Sequence, residues 1–143
     1  MKNLEQIRAR NALRAVDQIQ HGDLRGEDKG DVLTGFPALI ITNGLLATIA
    51  FSMSKSKVDK KTDSYKKSGH EQICDFIAEH LQDGLVGALP IGTRTADAML
   101  KWLTHDKQTS SDLRLCTAET LAYLNYLRRF AKTAKKTTNQ REG

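Results

Sequence analysis

The stretch FPALIITNGLLATIAFSM, residues 36–53, runs for eighteen residues without a charge. Three structures can absorb such a segment: a membrane span, a β-hairpin turned at Asn43-Gly44, or a helix buried in protein. A hydrocarbon core of about 30 Å calls for about 20 predominantly apolar residues. This segment is shorter and contains Thr42, Asn43, Gly44, Thr48 and Ser52. Asn-Gly marks a hairpin when polar and apolar residues alternate around it, and neither ALII nor LLATIAF alternates. Wound at ~100° per residue, the segment gathers Thr42, Leu45, Leu46, Ile49 and Met53 on one side and Asn43, Gly44, Ala47, Thr48 and Ala50 on another. The buried helix fits best. It becomes the central element, with a small face that lets a neighbouring helix approach closely. Asn43 is then buried and needs partners, and Gly44 sits mid-helix, where it costs about 1 kcal/mol relative to alanine without a packing reason.

The rest of the chain reads as helix. Asn3 and Gln6 make a capping-box-like start, and Leu4, Ile7, Ala12, Ala15, Val16 and Ile19 form one stripe to about Gln20. A glycine-rich loop, HGDLRGEDKGDVLTG, follows, and Pro37 suits the first turn of the next helix. Residues 54–64 read as a mobile Ser/Lys/Asp linker, and a third helix is expected from about Ser64 to Asp83, with Ile73, Ile77 and Leu81 inward. Thr93 or Thr95 caps a helix with an Ala96, Met99, Leu100 and Leu103 seam, and a long last helix spans about Leu113 to Lys136. The expected fold is all-α, a single-domain bundle of about five to six helices around a central apolar helix, covering residues 1–136, with 137–143 a disordered tail.

Chemistry-bearing motifs are missing from the sequence. It contains no phosphate-binding glycine loop, zinc-protease helix or nucleophile elbow. Cys74 and Cys116 form no metal-ligand or disulfide-framework spacing, and the four histidines are scattered. The residues point to a non-enzyme without metal or cofactor and with no small-molecule substrate. The first residues, MKNLEQIRARNALRAV, hold no apolar run of the signal-peptide kind, so a cytoplasmic protein without membrane attachment is expected.

Charge is the remaining signal. The net charge is +5, but residues 55–67 carry six Lys against two Asp, residues 127–143 carry six Lys/Arg against Glu142, and residues 68–126 sum to −4. On the last helix Cys116, Tyr123, Leu124, Leu127, Phe130, Ala131 and Ala134 share one side. Arg114, Arg128, Arg129, Lys132, Lys135 and Lys136 gather on the other. Cations there complement the helix dipole, yet six on one face exceed what capping needs and suit phosphate oxygens. On the first helix Arg10 and Arg14 take the polar face. Arg8 falls inside the apolar stripe, where it either snorkels outward or meets a carboxylate, a phosphate or a partner subunit.

Three segments, NLEQIRARNAL, FPALIITNGLLATIAF and LRLCTAETLAYLNYLRRFAKTAKK, in that order and at that spacing, resemble the small all-helical subunit of the type III-B CRISPR effector, the Cmr complex. The resemblance covers roughly residues 2–136 and rests on overall pattern, since none of these segments is a catalytic motif. It implies a non-catalytic subunit in antiviral defence that stacks in several copies along a ribonucleoprotein, beside the duplex of guide RNA and target RNA, while other subunits cleave. Carried onto this chain, Arg128, Arg129, Lys132, Lys135 and Lys136, helped by Arg10 and Arg14, touch RNA backbone. The Lys-rich linker takes no role from the resemblance. Because base pairing supplies sequence specificity in such a complex, phosphate contacts suffice for a helper subunit. Two other readings stay open: a protein–protein adaptor without RNA contact, and a helix-turn-helix DNA-binding regulator built on residues 95–130, whose THDKQTSSD connection exceeds the about 3–4-residue turn of that motif.

Overall fold

The computed structural model describes residues 3–20 and 31–142, and of residues 19, 20, 31 and 134–142 it describes the backbone alone. The described elements are α1 (Leu4–Gln20), α2 (Asp31–Asn43), α3 (Leu45–Ser54), β1 (Lys57–Asp59), β2 (Ser64–Lys66), α4 (Gly69–Leu81), α5 (Ala96–Leu103) and α6 (Ser110–Glu142). The all-α single-domain expectation holds, apart from the small antiparallel ribbon of β1 and β2. Among the described residues no helix is long and apolar enough to cross a membrane.

The core follows the helical periodicities. Ile7, Ala12, Ala15 and Val16 of α1, Ile73, Ile77 and Leu81 of α4, Ala96, Met99 and Leu103 of α5, and Cys116, Tyr123, Leu124 and Leu127 of α6 are all buried. Helix α1 packs chiefly against α6. Its start is a reciprocal capping box: Asn3 N–H donates to Gln6 Oε1 at 2.9 Å, and Gln6 N–H donates to Asn3 Oδ1 at 2.9 Å. Thr95 caps α5, its hydroxyl accepting the Ala98 N–H.

The central apolar helix needs correcting. It is two helices that meet at Gly44, whose φ of 89° and ψ of 160° belong to a region open essentially to glycine alone. Gly44 N–H donates to Ile40 O at 2.8 Å, closing α2, while Gly44 O accepts the Thr48 N–H at 3.1 Å, opening α3. Asn43 and Gly44 are exposed, and beyond the adjoining residues no atom lies within 4 Å of where a Gly44 side chain would begin. No neighbouring helix therefore packs at that point. Two shorter stripes face the core instead, Val32, Leu33, Phe36 and Ile40 on α2 and Leu45, Thr48, Ile49 and Ser52 on α3. Pro37 also lies inside α2 rather than in its first turn.

The expected mobile linker is the β ribbon, and α4 starts at Gly69 rather than near Ser64. Ser68 sets that start. Its hydroxyl accepts the Glu71 N–H at 3.1 Å and donates to Ser52 O at 2.9 Å, tying the first turn of α4 to the end of α3. The buried hydroxyls of α3 are satisfied locally, with Ser52 Oγ donating to Thr48 O at 2.7 Å.

Candidate functional site

The basic face read on α6 divides into parts with different surroundings. Arg129 and Lys132 are exposed, close to the last residues of α6 whose side chains are described. Arg114 is exposed as well, but fifteen residues earlier, about 22 Å along the axis at 1.5 Å per residue, and its Nε reaches Ser110 O at 3.4 Å. Arg128 is half-buried and donates from Nη1 to Thr34 O of α2 at 3.3 Å. The side chains of Lys135 and Lys136 lie outside the described residues, although the α6 backbone continues through them.

On α1 the two arginines of the polar face differ in the same way. Arg10 donates to Asp83 Oδ2 at 2.6 Å, and its side chain is about one quarter exposed. Arg14 is exposed at the rim of a cleft of about 420 Å³ between α1 and α4, shared with Asn11, Gln18, Glu79, His80 and Arg94. Arg14, Arg114, Arg129 and Lys132 are thus the described candidates whose side chains reach solvent. Arg10 and Arg128 brace the bundle.

Arg8 meets a carboxylate. Its Nε donates to Glu119 Oε2 and its Nη2 to Glu119 Oε1, both at 2.7 Å, the two-pronged geometry that a planar guanidinium favours. Glu119 Oε2 also lies 2.9 Å from His80 Nε2, and His80 Nδ1 lies 2.9 Å from Asn11 Nδ2. Asn11 Nδ2 donates onward to Asp83 Oδ2 at 3.1 Å. Because the Asn11 amide faces that carboxylate with its NH₂ group, His80 Nδ1 accepts from it, and the imidazole carries its proton on Nε2 toward Glu119. The ring is sandwiched against Tyr123, with centroids 4.2 Å apart and planes within 8°. This connected network joins α1, α4 and α6 at the middle of the bundle.

Its electrostatics favour charge in place. Burial pushes the Glu119 carboxyl upward, but hydrogen bonds from Arg8 and His80 outweigh that cost and hold it at about 2. Burial likewise opposes ionisation of Asp83, and the Leu85 N–H, Asn11 and Arg10 overcome it, leaving the group below the usual carboxylate range. The Glu119 hydrogen bond raises the Arg8 guanidinium above its ordinary value. Both cysteines are free thiols. Burial pushes Cys74 up to about 12 and Cys116 up to about 11, so neither supplies a thiolate at neutral pH.

Only one end of this network stands out in the sequence. Arg8 is conspicuous as a charge in an apolar stripe, whereas Glu119, lying between Cys116 and Tyr123 on the buried side of α6, does not figure among the expected site residues. Two opposite charges, each misplaced on its own helix, are the signal that pairs them. Residues 4–134 match the family model described as CRISPR-associated protein (Cas_Cmr5). No solved structure matches the chain.

Proposed function

The chain belongs to the Cas_Cmr5 family of CRISPR-associated proteins, and on that premise we propose that it serves as a non-catalytic structural subunit of a type III-B RNA-guided effector complex. It stacks there with copies of itself and with other subunits, and its exposed cations touch the backbone of guide and target RNA. One observation carries the RNA contact: Arg129 and Lys132 stand exposed in the C-terminal part of α6, where residues 127–143 carry six Lys/Arg against one Glu. Phosphate contacts at such a surface supply affinity without sequence reading, which suits a complex in which base pairing reads the sequence.

The test uses the full chain and a guide–target RNA duplex at low and moderate salt. Arg129→Glu with Lys132→Glu is expected to weaken binding at least tenfold at moderate salt and leave the melting temperature within about 3 °C, as for surface changes generally. Unchanged binding would remove α6 from the RNA contact.

A protein–protein adaptor without RNA contact is the second reading. It is favoured by the engagement of Arg10 with Asp83 and of Arg128 with Thr34 O, which withdraws two cations from the expected surface. Normal assembly of the effector complex with no RNA crosslink to this chain would select it. The helix-turn-helix reading is the weakest, since residues 104–109 separate α5 from α6 where that motif has a turn of about 3–4 residues.

A further inference from the structure

The ribbon of β1 and β2 pairs Lys57 with Lys66, Val58 with Tyr65 and Asp59 with Ser64, and all six strand residues are exposed. Two features make it costly as a purely structural element. Like charges directly opposite one another weaken a ladder, and a lone two-stranded ribbon is marginal in water. Among the described residues none of Lys57, Lys60, Lys61 and Lys66 makes an ion pair.

The flanking lysines behave differently. Lys55 Nζ lies 5.0 Å from the centroid of the Phe51 ring, and Lys67 Nζ lies 2.6 Å from Asp75 Oδ2. The base of the ribbon is braced against α4 as well: the Tyr65 hydroxyl donates to Glu71 Oε1, Ser56 Oγ donates to the same oxygen at 3.0 Å, and Ser68 N–H donates to Ser56 Oγ at 2.9 Å. At the tip Asp59 Oδ1 accepts the Lys61 N–H at 2.9 Å, so one of the two nearby carboxylates is engaged by the turn. A braced stem thus holds four ammonium groups without an ion-pair partner away from the bundle, a net charge of +2 over residues 57–66 once Asp59 and Asp63 are counted.

We propose that this ribbon is a second RNA contact, its four lysines lying against the sugar–phosphate backbone of a duplex. The proposal rests on the RNA-contact reading above and extends it to a segment that neither the resemblance nor the family match assigns. Phosphate is favoured over an acidic protein surface because ammonium groups are compact charges suited to phosphate oxygens, while protein–protein interfaces are depleted in lysine. The contact follows the backbone only, because side chains cannot read the deep, narrow major groove of A-form RNA.

The experiment titrates the full chain against a labelled RNA duplex over a series of salt concentrations. It compares wild type, a variant with Lys57, Lys60, Lys61 and Lys66 all replaced by Gln, the same four replaced by Arg, and the Arg129→Glu, Lys132→Glu variant. The Gln variant is expected to bind at least fivefold more weakly at about 0.1 M salt. Its plot of log affinity against log salt should be shallower by about 3 units, at roughly 0.7–0.9 for each of the four phosphates that are no longer neutralised. The Arg variant should bind like wild type. Relief of the Lys57–Lys66 repulsion should leave the Gln variant at least as heat-stable as wild type, and Lys66→Gln alone repeats the measurement with the least disturbance. If the Gln variant keeps wild-type affinity and slope while the α6 variant loses binding, the ribbon proposal is overturned and the α6 reading stands. The reverse pattern supports the ribbon and removes α6. Equal loss in the Gln and Arg variants, or retained RNA binding with loss of an acidic protein partner, overturns the ribbon proposal. No duplex binding by the wild type overturns both.

Discussion

Arg8 and Glu119 each occupy a place where helical periodicity asks for an apolar side chain, and each compensates the other. The Glu119 side chain is 8% exposed and that of Arg8 is 24% exposed, so the pair is largely withdrawn from water. Removing one partner leaves a desolvated charge. Glu119→Gln is therefore expected to cost about 2–3 kcal/mol, a drop in melting temperature of roughly 5–10 °C for a chain of this size. Replacing both residues by Met should recover the part of that loss that comes from the unpaired charge, but not the part that comes from leaving the buried His80 Nε2–H without its acceptor. A double-mutant cycle measures the coupling, and near-additive losses would count against the pairing. The same site fixes the acid limit. Glu119 ionises at about 2 in the folded chain against an ordinary value of 4.5, and Asp83 is also lowered. Stability from both is complete above the ordinary value and is lost as pH falls from about 4.5 toward 2. Glu119→Gln should flatten the stability profile in that window, so an unaltered acid limb would show that the carboxylate is not the titrating group.

At the scale of elements, the chain is legible wherever burial imposes a period. The stripes of α1, α4, α5 and α6 are visible in sequence because each helix buries one face, and the Asn3–Gln6 and Thr95 caps carry their own local hydrogen bonds. Two segments without that constraint are misread. In residues 36–53 both faces are apolar, so period alone cannot reveal a break, and Asn-Gly suggests a hairpin turn although glycine is equally at home at a helix end. In residues 57–66 every strand position is exposed, so no alternation is available. The ribbon depends instead on tertiary contacts with Glu71. The corrected corner changes the expectation for Gly44. Overpacking at the added Cβ is not the penalty, because beyond the adjoining residues nothing lies within 4 Å of it, but any L side chain strains the backbone at φ 89°. Gly44→Ala and Gly44→Leu should thus cost similar amounts, about 1–3 kcal/mol each. A Leu penalty far above that of Ala in denaturant melts would restore the close helix contact in place of the corner.

Across the whole molecule, several carboxylates of the acidic middle segment are engaged by partners within the chain, some in its interior and some at its surface. Asp75 holds Lys67 and accepts the first amide of α5, Glu79 holds Arg94, Asp83 holds Arg10 and Glu119 holds Arg8. What remains for the surroundings is the excess positive charge, on the ribbon and at the end of α6. The sequence locates those charges but does not sort braced from exposed cations, since the sorting depends on which carboxylate or carbonyl the fold brings near. The sorting has a direct consequence: stability and RNA affinity should fail separately. Arg10→Ala removes a partly buried ion pair while Asp83 keeps Asn11 and the Leu85 N–H, so it should lower stability by about 1 kcal/mol, or roughly 2–4 °C. At temperatures well below the transition it should leave duplex affinity within twofold. Arg14→Ala, one helical turn away but exposed, should do the opposite, with an unchanged melt and weaker binding at moderate salt. If Arg10→Ala instead weakens binding as much as Arg14→Ala with no loss of heat stability, then Arg10 leaves Asp83 for phosphate when RNA arrives. The face of α1 would then act as a surface that exchanges internal for external partners rather than as a fixed brace.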